Sequence, residues 1–189
     1  MLILASQSPR RKELLQRITE DFVVKTNPVD ENLDLTMELP YAVEALAYNK
    51  ALPVFKDYPQ ELVIGADTIV ALDNQVLGKP QDEDDAVAML TLLSDKVHKV
   101  ITGVCLLNQK ASSSFHVISE VHFYPLSIKE ITDYVTDYRP LDKAGAYGIQ
   151  DKGALFVREI RGDYYNIMGL PIARLNQELK RLDRLLKGN

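Results

Sequence analysis

Cysteine is almost missing from this chain. One stands among 189 residues, Cys105, so no disulfide can form within it. It lies in the apolar run Val104-Cys105-Leu106-Leu107, where a small core residue is expected in place of a nucleophile. No apolar stretch approaches the roughly 20 residues of a membrane span, and the start lacks a basic segment followed by a long apolar one. Excess positive charge is absent too. Lys and Arg number 22 against 27 Asp and Glu, a net charge of −5, which argues against a general nucleic-acid surface. Neither G-x-x-x-x-G-K-[ST] nor G-x-G-x-x-G occurs. The three histidines, His98, His116 and His122, sit in strand-like runs without metal-ligand spacing and read as structural. These absences indicate a cytoplasmic chain with neither membrane nor nucleic acid as partner. Any phosphate chemistry must then rest on a local positive pocket.

What is present is ordinary for a globular protein: 46% hydrophobic and 26% charged residues. The length suffices for one domain with a good core or two tightly joined lobes, and residues 1–189 are read as a single domain. Leu2-Ile3-Leu4-Ala5 reads as a buried strand, and Ser8-Pro9 as the cap and first residue of a helix carrying Leu14, Leu15 and Ile18. A strand is expected over Asp21 to Val29, and a helix through Ala42, Leu46 and Asn49 that ends near Pro53. "ELVIGADTIVAL" reads as a strand interrupted at Gly65-Ala66-Asp67, followed by a turn at Asp73-Asn74. "DEDDAVAMLTLLS" reads as a helix, and the two β-branched runs around Asn108 to Ser113 as a hairpin. Ser127 to Glu130 is a capping box opening a helix to about Tyr138. A glycine-rich loop with one internal strand leads to a last helix from Pro171. Alternating strands and helices with hairpins mixed in predict an α/β fold: a mixed twisted sheet with helices on both faces.

The first helix breaks a rule. Arg10 and Arg11 occupy its second and third positions, at the positive end of the dipole, where acids are preferred. Either both point to solvent or pair with acids elsewhere, or the free N–H groups, the dipole and two guanidinium forks hold a polyanion such as a phosphate chain. On the second reading Arg11 contributes nothing to the empty protein's stability, and its removal leaves that stability level or slightly raised. Asp67 lies in an otherwise apolar run, where an unpaired carboxylate is costly. It is either bonded to turn backbone or free to hold a metal or accept a proton. A phospho-aspartyl mechanism would want a second Asp where Ile69 stands. Lys79 is fixed between Gly78 and Pro80, and Lys50 lies near a helix end that suits a cation. Glu31, beside Asp30, is a second candidate carboxylate. Together these residues supply cations to offset phosphate charge and carboxylates to carry a metal or orient water.

"SQSPRR", "VDE", "NKA", "GADTIV", "GKP", "TGV", "DKAGAYGIQ" and "DYYNIMGLP", in that order, resemble the Maf (septum-formation) family of nucleoside triphosphate pyrophosphatases over about Leu2 to Ile172. The resemblance implies a Maf/ITPase-like fold, with two lobes around a central cleft, often as a homodimer. It implies hydrolysis between the α and β phosphates, giving the monophosphate and pyrophosphate, with a divalent cation (Mg, Mn or Co) as cofactor. Asp67 matches the family's proton acceptor, and Arg10, Thr68 and Gln150 its substrate-selectivity positions. Ser8, Arg11, Glu31, Lys50 and Lys79 match other pocket residues, with Asp67 and Glu31 as metal carriers. Arg10, Thr68 and Gln150 together look like the dTTP/UTP branch and not the 7-methyl-GTP branch; modified pyrimidine nucleotides, house-cleaning and a link to division arrest come with it. Two other functions stay open on sequence: a nucleotide-sensing regulator of division without turnover, and a pyrophosphatase for deaminated purines. Asp95 departs from the family, which usually has glycine there, so the geometry of that turn is unsettled.

Overall fold

The computed structural model describes residues 1–30 and 32–187, the last two by backbone alone. Its strands are β1 (Leu2–Leu4), β2 (Phe22–Val24), β3 (Leu62–Leu72), β4 (Gln75–Leu77), β5 (Val97–Leu107), β6 (Ser112–Phe123) and β7 (Val157–Arg161). Its helices are α1 (Pro9–Gln16), α2 (Leu39–Asp57), α3 (Glu83–Leu93), α4 (Ile128–Tyr138), α5 (Tyr164–Met168) and α6 (Ile172–Lys187). The sheet runs β2-β1-β3-β5-β6-β7, with β4 paired to β3. β1 is parallel to β2 and to β3, whereas β3–β4 and β6–β7 are antiparallel, so the sheet is mixed as expected.

The chain divides into two compact units. The first holds Met1–Asp67, Thr102–Val117 and Gly169–Asn189; the second holds Thr68–Ile101 and Ile118–Met168. In the first, Ile3, Ala47, Ala51, Val54, Val63 and Cys105 are buried together, with Val23, Leu52, Phe55 and Tyr58 packed against them. Cys105 is thus a core residue, and burial raises its thiol pKa. In the second, Phe123 meets the rings of His98, Tyr147 and Phe156 edge-on at 4.8, 4.9 and 5.8 Å.

Three expectations need correction. The strand expected over Asp21 to Val29 is only Phe22–Val24: its pairing with β1 ends at the Lys25 N–H to Leu4 carbonyl bond of 3.2 Å. Beyond it the partner strand has turned toward α1, and Pro28 has no N–H to offer. α2 does not end near Pro53 but runs to Asp57. Pro53 forfeits one helical bond, and the burial of Val54 with the packing of Phe55 on the same core offsets that loss. β3 is not interrupted at Gly65-Ala66-Asp67 but is continuous.

Gly65 has another purpose. A Cβ there would lie 2.1 Å from the Ala47 carbonyl and 2.9 Å from the Ala51 Cβ, both on α2. On β5, a Cβ at Gly103 would lie 2.5 Å from the carbonyl of Val43. Two glycines on neighbouring strands therefore let the backbone of α2 rest directly on the sheet. Three local features follow the sequence: the capping box at Ser127 and Glu130, the turn of Asn108 with Ala111 between β5 and β6, and Asp82 capping α3. Two do not: α1 stops at Gln16, short of Ile18, and α5 forms within the stretch read as glycine-rich loop. Asp95 adopts the left-handed conformation at φ 57°, one that aspartate tolerates better than most residues, so the turn forms without glycine.

Candidate functional site

In the first unit, the seating of α2 on Gly65 governs a charged pair. Residues 65 and 67 of a strand project to the same face, the one on which α2 lies. Lys50 stands between Ala47 and Ala51, the two residues that touch Gly65. Its Nζ donates to Asp67 Oδ1 at 2.5 Å, with the side chains 14% and 15% exposed. Asp67 stands within a continuous strand and not at a turn, and its partner is an ammonium from a helix packed through a glycine. A carboxylate so held keeps its orientation and retains a second oxygen for water, a proton or a cation.

The start of α1 belongs to the same unit. Ser8 caps it, its hydroxyl accepting from the Arg11 N–H at 3.4 Å, and the first turn contains no acid. Arg11 does more than await a ligand. Its Nε donates to the Gly169 carbonyl at 2.9 Å and its guanidinium to the Ser6 hydroxyl at 3.3 Å, which ties the helix start to the segment before α6. The expectation that Arg11 is neutral to stability is therefore corrected: bonds across 158 residues of chain outweigh a few tenths of a kcal/mol of dipole repulsion. Arg10 is half-buried in the same turn. Glu31 lies outside the described residues.

The second unit carries the other predicted residues. Thr68 follows Asp67 in β3 and is half-buried. Lys79 is exposed just after β4, and the neighbouring Gly78 carbonyl accepts from the Gly145 N–H at 3.0 Å. That bond joins the Lys79 loop to the glycine-rich loop, in which Gly145 and Ala146 both take left-handed φ angles of 68° and 59°. Gln150 is exposed a few residues on, between the short 3-10 turns Ala144–Ala146 and Lys152–Phe156.

Sequence reasoning missed two groups here, Tyr134 and Asp151, which fasten the chain on either side of Gln150. It also missed Ser6 and Gly169, whose contacts with Arg11 leave no local pattern. The glycine two residues before Asp67 was the one available signal for the seating of α2. Two of the histidines have structural partners, as read. His98 is buried against Tyr147, with its Nε2 2.9 Å from the phenol oxygen, and burial pushes its pKa down to about 4. His116 pairs with Glu44 at 2.6 Å. Among the described residues, no three or more His, Cys, Asp or Glu cluster to hold a metal, and no helix is long and apolar enough to cross a membrane.

Fold and site together define a mixed α/β protein whose first helix opens on two arginines and whose third strand presents a carboxylate gripped by an ammonium. The chain belongs to the Maf-like protein family, which residues 1–182 match. A Geobacillus protein (strain WCH70) named dTTP/UTP pyrophosphatase is 48% identical over 96% of this chain and 97% of its own. Proteins of the same name from Bacillus cereus (strain G9842) and Clostridioides difficile (strain 630) are 47% and 49% identical, covering 96% and 95% of this chain and 95% and 94% of theirs. Among solved structures, the Staphylococcus aureus Ham1 protein is 12% identical, with a TM-score of 0.48 over 65% of this chain and 71% of its own.

Proposed function

We propose that this chain hydrolyses dTTP and UTP, and modified pyrimidine triphosphates of the same shape, to the monophosphate and pyrophosphate. The observation that carries this reading is the Lys50–Asp67 pair on the seated helix, in a chain sharing nearly half its residues with dTTP/UTP pyrophosphatases. Asp67 takes the proton of the water that attacks the α phosphorus, and pyrophosphate leaves. Lys50 fixes the carboxylate and offsets its charge. Ser8, Arg11 and Lys79 hold phosphate oxygens, and Arg10, Thr68 and Gln150 select the nucleotide. A neutral amide at Gln150 offers a donor and an acceptor, as the carbonyls and N3–H of a uracil or thymine edge require. The methyl that separates the two bases is worth only about 1 kcal/mol in an apolar contact, so both are accepted.

Asp67 fits a divalent cation of the Mg, Mn or Co kind, because such ions take one or two carboxylates and fill their remaining positions with water and phosphate. With one Asp67 oxygen on Lys50, the other remains for a cation, and Glu31 is the second candidate carboxylate. When bound, the cation offsets charge on the phosphate oxygens. We read residues 1–189 as one domain acting in the cytoplasm as a homodimer, in a house-cleaning role linked to division arrest; light scattering checks the dimer. β3, β5 and β6 each run through both compact units, which supports the single domain.

A nucleotide panel with magnesium and product identification tests the activity. dTTP and UTP should be the best common substrates, each giving one monophosphate and one pyrophosphate. Faster turnover of 7-methyl-GTP or ITP would overturn the base assignment, and no turnover of any triphosphate would favour a nucleotide sensor.

A further inference from the structure

Gln150 is exposed, and among the described residues its side chain makes no hydrogen bond, so the position of its amide depends on the backbone that carries it. That backbone is held from both sides by two side chains. The Tyr134 hydroxyl, on α4, accepts from the Gly148 N–H at 3.0 Å and donates to Asp151 Oδ1 at 3.0 Å. The same Asp151 oxygen accepts from the Gly153 N–H at 2.8 Å, and the Asp151 N–H bonds back to the Gly148 carbonyl at 3.4 Å. Residues 148 to 153 thus close into a small loop with Gln150 at its exposed turn. The closure leaves no slack. A Cβ at Gly148 would lie 2.2 Å from Asp151 Oδ2, and one at Gly153 would lie 2.6 Å from the Gly148 carbonyl. Tyr134 itself is 5% exposed, stacked on Tyr138 at 5.2 Å and edge-on to Phe156 at 5.0 Å, so its ring cannot swing away. Burial raises the phenol pKa far above its ordinary value, which keeps the hydroxyl able to donate and accept at once.

We infer that Tyr134 is a positioning residue for substrate selection: its hydroxyl, through Gly148 and Asp151, sets where the Gln150 amide stands against the pyrimidine edge. This rests on the reading of Gln150 as the base-selecting residue. Removing the hydroxyl leaves the ring packing in place, releases Gly148 from its acceptor and lets the loop, and the amide with it, drift.

The test is a cycle of Tyr134→Phe, Gln150→Ala and the double variant, with kcat and KM measured for dTTP, UTP and CTP. Tyr134→Phe should fold as the parent does and lower kcat/KM for dTTP and UTP about tenfold, chiefly through KM, the scale of one lost bond and a displaced contact. The preference for dTTP over CTP should shrink with it. In the Gln150→Ala background the same change should leave that preference untouched, because the hydroxyl acts through the amide. Asp151→Asn, which retains an acceptor oxygen, should keep more of the preference than Asp151→Ala. An unchanged preference in Tyr134→Phe, whatever its melting temperature, would overturn the inference while leaving the pyrophosphatase reading intact. A parent enzyme that hydrolyses triphosphates without preference for dTTP and UTP would overturn the inference together with the reading of Gln150 as the base-selecting residue, and no turnover of any triphosphate would overturn the pyrophosphatase reading itself.

Discussion

Replacing Gly65 by alanine should damage the protein far more than a single methyl ordinarily does. The added Cβ would lie 2.1 Å from the Ala47 carbonyl, and since such contacts do not close below 3.0 Å, the α2 backbone must retreat by about 0.9 Å. No rotamer can relieve a clash between a Cβ and a main-chain oxygen. Overpacking of this kind costs about 1–3 kcal/mol, and a backbone-on-backbone clash belongs at the upper end, near 3 kcal/mol. The gain of up to about 1 kcal/mol from a stiffer unfolded chain offsets only part of it. The same retreat carries Lys50 away from Asp67, so kcat/KM should fall by about 10²-fold, the effect of a 1 Å misplacement. Gly78→Ala is the control. A Cβ there meets nothing within 4 Å, so that variant should be neutral or slightly more stable. Urea denaturation at 25 °C, read with kcat/KM on dTTP, measures both effects. A Gly65→Ala protein within about 0.5 kcal/mol of the parent, the range of an inconsequential surface change, would refute the seating of α2 on β3.

Arg11→Ala should destabilise the ligand-free protein by about 1 kcal/mol, the loss of its bonds to Gly169 and Ser6 less a few tenths of dipole repulsion, and should weaken nucleotide binding as well. Arg11→Lys should not restore either property, because an ammonium lacks the guanidinium fork; denaturation and nucleotide titration check both. Gln150→Glu should lower kcat/KM for dTTP and UTP alike, since a carboxylate offers the base edge no donor; steady-state kinetics on both nucleotides decide it. Burial holds His98 neutral with a pKa of about 4, against an ordinary value of 6.5, so the unfolded chain takes up its proton first as the solution is acidified. Stability should therefore be full above about pH 6.5 and fall by on the order of 3 kcal/mol as pH drops toward 4, a slope that denaturation curves should show flattened in His98→Phe.

The legible and illegible parts of this chain divide by the range of the interaction. Local chemistry was readable: the Ser8 cap, the Ser127–Glu130 capping box, the Asp73-Asn74 turn and the hairpin after β5 each depend on a few neighbouring residues. Tertiary contacts were not. Pro53 is a helix breaker by propensity, yet α2 continues through it because Val54 and Phe55 have a core to join. Gly65 signals a break in isolation, and only the helix above it reveals a seat. Candidate residues such as Asp67 stood out because a carboxylate in an apolar strand and two arginines at a helix start violate local rules. Their partners, Gly169 for Arg11 and Tyr134 for the Gln150 loop, violate none, and the contacts span 158 residues in one case and 14 in the other.

Asp67 is proposed as the group that takes the proton from the attacking water, and the hydrolysis depends on it. Steady-state hydrolysis of dTTP by Asp67→Asn, with circular dichroism recorded on the same preparation, tests it most directly. The isosteric amide keeps a polar partner for Lys50 but cannot serve as the base, so the fold should persist while kcat drops by about 10²-fold or more. A folded Asp67→Asn protein that turns over dTTP at nearly the parent rate would contradict it.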